Sequence, residues 1–297
     1  MKSDPLSRVL SQGRASDVVD AARRIAQEQL GMLDELEAAY FRIAEGGPRA
    51  DPGCLAKLAL LDALDVGEAL SEQTFAHAID LVQFEASKQH KRDSAGMLRA
   101  RAALALARLN AAGLLQKLGG LLADALPAVR QNAAKAVAHY GNPDGAGLLL
   151  LRLKIGDEPS IELECLQGLF TLAPSIAIAC TRELLRNADS ERRELLASAL
   201  GSANHDDAIQ LLGEQLDESV VASERKIWID ALALSRRASA RQRLLDVIED
   251  GSQADARAAI GALAPHGYDA RLVASVHEAA ERRGDETLIA HARASLR

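Results

Sequence analysis

Helix-opening positions recur along this chain at one nearly constant step. Pro127, Pro159, Ser190, Val221 and Ser252 each follow a turn-forming stretch, and each stands 31 or 32 residues from the next. A fixed period of this size is the mark of a supersecondary unit copied along the chain. One such unit cannot bury its own apolar stripe. Stacked on its neighbours it completes a continuous core, so the chain grows by adding units and not by enlarging one globule.

Each period holds two helix-sized segments. The opening stretch PAVRQNAAKAVAHYGNPDGAGLLLLRL, residues 127–153, shows both halves with a Gly-Asn-Pro-Asp-Gly break between them. Breaks recur as LAPS at 172–175, SANHDD at 202–207 and APHGYD at 264–269. Pro, Gly, Asn and Asp supply turn geometry there, and Asp144 and Asp206 or Asp207 are the expected N-caps. The second segments carry a common apolar ladder. It runs Leu115, Leu118, Leu122; then Ala146, Leu149, Leu150, Leu153; then Ala177, Cys180, Thr181, Leu184; then Ala208, Leu211, Leu212, Leu216. It slips to Leu244, Leu245 and Ile248, and then to Ala270, Val273, Ala274 and His277. Spacing of three and four residues places these side chains on one helical face.

Composition agrees. Apolar residues make up 48% of the chain but aromatics only 3%, so Ala and Leu carry the packing, which favours helix over sheet. The expected fold is all-α, a right-handed α-solenoid of about eight helix pairs, an armadillo-type superhelix, closing on an unpaired helix at 285–297.

The unit PAVRQNAAKAVAHYGNPDGAGLLLLRLKIGDEP resembles a bacterial HEAT repeat of the phycobilisome-lyase-like type. Val129, Arg130, Ala133, Ala134 and Val137 match its first helix, a Gly-Asn-Pro turn follows, and an apolar second helix ends in Gly-Asp. The resemblance extends over 97–297, and 51–85 resembles a divergent repeat of bacterial HEAT proteins without an assigned activity. It implies a protein-binding solenoid, and a structural Arg130 tying its unit to the turn before it. Fold alone does not set function.

Residues 1–50 are helical but less regular and read as an N-terminal cap, with Tyr40 and Phe41 buried in it or, on a second reading, displayed to a partner. The array then covers 51–297 with a loop insertion at 86–96. That insertion concentrates Lys88, His90, Lys91 and Arg92. It reads as a solvated loop or as an electrostatic contact for an acidic partner or a phosphate. A second basic stretch, 235–243, carries Arg236, Arg237, Arg241 and Arg243, where Arg at a helix end is favoured by the free carbonyls. Trp228 is the single Trp and is expected between repeats.

Function classes narrow by chemistry. A net charge of −7 argues against a dedicated nucleic-acid binder. Cys54, Cys165 and Cys180 form no Cys-x-x-Cys, so zinc spacing is missing and a reducing compartment is expected. The first residues carry no apolar signal core, and apolar runs stay below about 18 residues, so neither export nor a membrane span is expected and the setting reads as cytoplasmic. Deoxyhypusine hydroxylases are HEAT-like enzymes that hold iron through several His-Glu pairs. His277–Glu278 is the single such pair here, and His277 reads as a satisfied, half-buried ring. The expected function is therefore a non-catalytic scaffold without a cofactor or metal, binding a protein or peptide along the concave face of the second helices. Arg152, Lys154, Arg182, Glu183 and Arg186 point off the ladder there, and with His90, Lys91 and Arg92 of the insertion they are the candidate partner contacts. The alternative is a HEAT-fold enzyme or subunit acting on nucleic acid, similar to alkylpurine glycosylases, or on a chromophore, similar to phycobilisome lyases.

Overall fold

The structure is a computed structural model describing residues 4–67, 71–86 and 91–296, with Lys91 described for its backbone alone. Among the described residues there are nineteen α-helices and two short strands. The opening helices are α1 (Pro5–Gln12), α2 (Ala15–Glu28), α3 (Leu33–Glu45) and the short α4 (Gly47–Ala50), followed by α5 (Leu55–Val66) and α6 (Glu72–Ile79). Strands β1 (Phe84–Ala86) and β2 (Lys91–Asp93) come next. The helices then resume as α7 (Gly96–Arg108), α8 (Leu114–Leu121), α9 (Pro127–Tyr140), α10 (Gly145–Ile155) and α11 (Pro159–Leu172). The chain finishes with α12 (Pro174–Leu185), α13 (Ser190–Ser202), α14 (Asp206–Glu218), α15 (Ala222–Leu234), α16 (Ala238–Asp250), α17 (Gln253–Leu263), α18 (Ala270–Arg283) and α19 (Glu286–Ser295).

The fold is an all-α solenoid of stacked helix pairs. It divides into two compact units, Met1–Gly168 and Leu169–Arg297, the boundary falling inside α11. In the first unit, first helices α2, α5, α7 and α9 stack in sequence, and α3, α6, α8 and α10 follow them as second helices. In the second unit, α13, α15, α17 and α19 stack in one row and α12, α14, α16 and α18 in the other. The five openings marked by the period coincide with helix starts. Pro127, Pro159 and Ser190 begin α9, α11 and α13, while Val221 and Ser252 are the residues just before α15 and α17.

Local chemistry explains the boundaries. Proline needs no N–H partner in a first turn, and it opens α1, α9, α11 and α12. Ser71, Asp189, Ser252, Asp269 and Asp285 accept first-turn N–H groups through their side chains. Two expected caps are corrected. Asp144 makes no side-chain cap. The Asn142 side chain takes the Asp144 N–H instead, which folds the turn one step earlier. Asp206 is the first residue of α14, and the cap before it is the His205 ring.

The ladder holds through the central units. Leu118, Leu149, Leu153, Ala177, Cys180, Ala208, Leu211, Leu212, Leu216, Leu244 and Ile248 are buried. It shifts in two places. In α12 the buried residue is Leu185, not Leu184. In α18 the buried stripe is Leu272, Val276, Ala279 and Ala280, because the 3-10 turn Ala264–His266 resets the phase before that helix begins. His277 is therefore half-buried off the stripe, and its Nε2 has no hydrogen-bond partner, so the ring is not satisfied.

Tyr40 is fully buried, with its hydroxyl 3.0 Å from His77 Nδ1, and Phe41 stacks edge-on against both rings. The displayed-aromatic reading of the N-terminal segment is thereby corrected: Tyr40 belongs to the core. Trp228 is buried as expected, and its indole N–H donates to Ser219 Oγ at 2.9 Å.

The described residues on either side of 87–90 form a strand pair. β1 and β2 pair antiparallel, with Phe84 opposite Asp93, Glu85 opposite Arg92 and Ala86 opposite Lys91. Gln83 and Ser94 close the ladder through Ser94 N–H to Gln83 carbonyl at 2.8 Å. Helix α6 stops at Ile79, before the strand pair begins.

Candidate functional site

Within each unit, arginines near the start of first helices recur in one slot, Arg99 buried and Arg130, Arg193 and Arg225 partly covered. Arg130 places its guanidinium on Asp157 through Nη2 at 2.6 Å and Nε at 2.7 Å, and on the Asp124 carbonyl at 2.9 Å. That matches the structural role implied by the repeat resemblance. The same slot recurs at near-repeat spacing. Arg99 binds Asp93 at 2.6 Å and Asp124 at 2.8 Å. Arg193 binds Glu224 at 2.6 Å, and Arg225 binds Asp255 at 2.9 Å and the carbonyl oxygens of Leu216 and Ser219. The hydrogen bond from Arg130 holds the Asp157 carboxyl below the usual carboxylate range.

In α5 the slot is taken by Lys57, buried to 1% exposure. Its ammonium lies 2.9 Å from Asp51 and 3.1 Å from Gln83 Oε1. Asp51 also accepts the N–H groups of Ala56 and Lys57, which anchors the start of α5. Gln83 donates to the Asp51 carbonyl and to Glu85. The carboxylate of Glu85 further accepts from Gly53 N–H and Ser94 Oγ, each at 2.7 Å. Those donors, Ser94 first, lower its pKa. Gly53 and Cys54 both take positive φ, 73° and 56°, so the chain turns sharply beneath the hairpin. Cys54 Sγ sits 3.5 Å from Ser94 Oγ, and burial raises its thiol pKa.

This network floors a cleft of about 450 Å³. Leu55, Leu58, Met97, Leu126 and Pro127 make its apolar walls, and Glu85, Arg92 and Ser94 its polar rim. Leu55 is 62% exposed and Met97 49%, both at positions where the stacked helices leave them in water.

The sequence-predicted contacts fall elsewhere. On α10, Arg152 is turned inward, with Asp157 at 3.2 Å and the Gly156 carbonyl as partners, while Lys154 is exposed. On α12, Arg182, Glu183 and Arg186 are exposed, and Arg182 pairs with Glu214 at 2.8 Å. Arg92 reaches the cleft. His90, Lys88 and the Lys91 side chain lie outside the described residues. On α10, Leu151 and Ile155 are 58% and 64% exposed, one helical turn apart, with Leu148 half-buried beside them.

The basic stretch 235–243 is neutralised by its neighbours. Arg237 pairs with Asp206, Arg241 with Asp269 at 3.3 Å, and Arg243 with Asp217. Among the described residues no group of three or more His, Cys, Asp or Glu is placed to hold a metal ion. Among them, too, no helix is long and apolar enough to cross a membrane.

Residues 87–169 match the family model described as HEAT repeats. The match is to HEAT repeats in general and does not single out the phycobilisome-lyase-like type. No curated protein matches the sequence. Among solved structures the chain is similar to an engineered protein, at 16% identity and TM-score 0.45, over 98% of this chain and 86% of that one. It is also similar to human deoxyhypusine hydroxylase in complex with glycerol, at 15% identity and TM-score 0.31, over 89% and 95%. A designed armadillo repeat protein aligns at 19% identity and TM-score 0.23, over 98% and 97%.

Proposed function

We propose that this chain is a non-catalytic scaffold that binds a protein or peptide along its row of second helices. HEAT-type stacks commonly serve protein interaction, since side-by-side helices present a long continuous surface. The observation that carries the reading is the pair Leu151 and Ile155. Two large apolar side chains stand in water on one face of α10. Burying such a pair against a partner is worth on the order of 3–5 kcal/mol at full coverage. Lys154, beside them on α10, would set orientation by charge more than it adds affinity, and Arg182 and Glu183 on α12 with Arg186 just after it are separate candidate contacts within the second unit.

The test is affinity capture from host lysate with tagged wild type beside the double variant Leu151→Asp, Ile155→Asp. A protein species retained by wild type and lost with the variant supports the reading. Nucleic acid retained equally by both would overturn it and restore the enzymatic alternative.

A further inference from the structure

The hairpin cleft lies on the edge of the first helices, away from α10, and nothing in the stacking requires it. Lys57 and Arg99 occupy equivalent slots, yet the hairpin separates them by more than the usual step. Helices α5 and α6 each still pack directly on α7. The added chain instead folds back as a strand pair whose position is set by the buried Asp51, Lys57, Gln83 and Glu85 network. That network fixes one wall of an apolar cleft open to solvent.

Charge in the cleft is unevenly satisfied. Glu85 is held by three donors. Asp93 is held by Arg99 and by the N–H groups of Gln83 and Ala95. Arg92 faces Glu85 across the strand pair, but among the described residues it forms no ion pair and is exposed. Helices α7 and α9 both open at this cleft, at Gly96–Leu98 and Pro127–Val129, without side-chain caps. The N–H groups just before them, of Ala95 and Leu126, are taken by Asp93 and Asp124, so the free cation at this cleft is Arg92 among the described residues. Leu55 and Met97 extend the apolar surface beyond the cavity mouth, which suits a chain segment better than an enclosed small molecule.

We propose that this cleft docks an extended acidic-apolar segment of a partner protein, one large apolar side chain entering between Leu58, Met97 and Leu126 while a flanking carboxylate meets Arg92. Specificity for acid over base comes from Arg92, and affinity from the apolar anchor. The inference is independent of what the second helices bind.

The experiment uses the full chain and a short fluorescein-labelled peptide with one Phe flanked by Glu residues, read by fluorescence anisotropy. Its counterpart carries Lys for each Glu. The expected result is saturable binding of the Glu peptide, at least tenfold tighter than the Lys peptide. Arg92→Glu should abolish that preference, and Met97→Asp should weaken binding at least tenfold, both with unchanged circular dichroism. Leu151→Asp should leave this binding unaltered, which separates the cleft from the α10 face. Equal binding of both peptides, or indifference to Arg92→Glu, overturns the proposal. So does Arg92-dependent binding of anilinonaphthalene sulfonate without peptide binding, which would make the cleft a small-anion site.

Discussion

Gly201 offers the sharpest test of how the first helices approach one another. It lies in α13 against α15. A Cβ at that position would stand 3.0 Å from the Ala231 carbonyl carbon, nearer still to its oxygen, and 3.2 Å from Leu234 Cβ. Carbon atoms pack best at about 3.5–4.0 Å, so α15 would have to retreat by about 0.5–1 Å. Overpacking of this kind costs about 1–3 kcal/mol, and here the obstacle is backbone, which cannot rotate aside. Alanine's helix propensity returns at most about 1 kcal/mol. Gly201→Ala should therefore lose up to about 2 kcal/mol. Gly261, in α17 of the same unit, has nothing within 4 Å of a built Cβ. Gly261→Ala should gain up to about 1 kcal/mol by the same propensity. The propensity gain is common to both, so the two identical substitutions should differ by the overpacking cost, about 1–3 kcal/mol, in urea unfolding followed at 222 nm. Equal stabilities within about 0.5 kcal/mol would refute the close approach.

Three further outcomes follow from the packing and the charges. Leu149 is fully buried and packs on Gly168, so Leu149→Ala should cost about 2–5 kcal/mol; a urea midpoint matching wild type would contradict its place in the core. The Asp157 pKa is depressed by Arg130, so its contribution is complete above the unfolded carboxylate value of ~4 and is lost as pH falls through the folded value. The stability gap between wild type and Asp157→Asn should hold at neutral pH and close on acidification, and a pH-independent gap in urea titrations would refute it. Burial pushes the Cys165 thiol up to about 12, so it should resist alkylation at pH 8 until the protein unfolds; mass spectrometry finding it rapidly modified in native protein would count against that burial.

The repeat was legible because stacking imposes one period on turns and core alike. Pro127, Pro159 and Ser190 are helix starts for the same reason they are evenly spaced. The ladder failed where a turn changed length, as before α18, since one added residue rotates a helix by about 100°. The hairpin was not legible. Three-residue strands such as Phe84–Ala86 are too short to show alternation, and the network holding them is polar. The charged partners carried an unused signal. Arg237 and Asp206, Arg182 and Glu214, and Arg193 and Glu224 lie 31, 32 and 31 residues apart, the period of the core. Applying the repeat step to charges as well as to leucines would have found the Asp206 partner of Arg237, but not those of Arg241 and Arg243, which lie 28 and 26 residues away.

Those pairs divide into two environments. Within the second unit, Arg193 and Arg225 are largely covered at the start of the first helices, while Arg182–Glu214, Arg243–Asp217 and Arg282–Glu249 bridge successive second helices in water. Dissolved salt weakens exposed pairs more than covered ones. Raised ionic strength should therefore loosen the ties between second helices of this unit before those between its first helices, which places its salt sensitivity on one side of the stack.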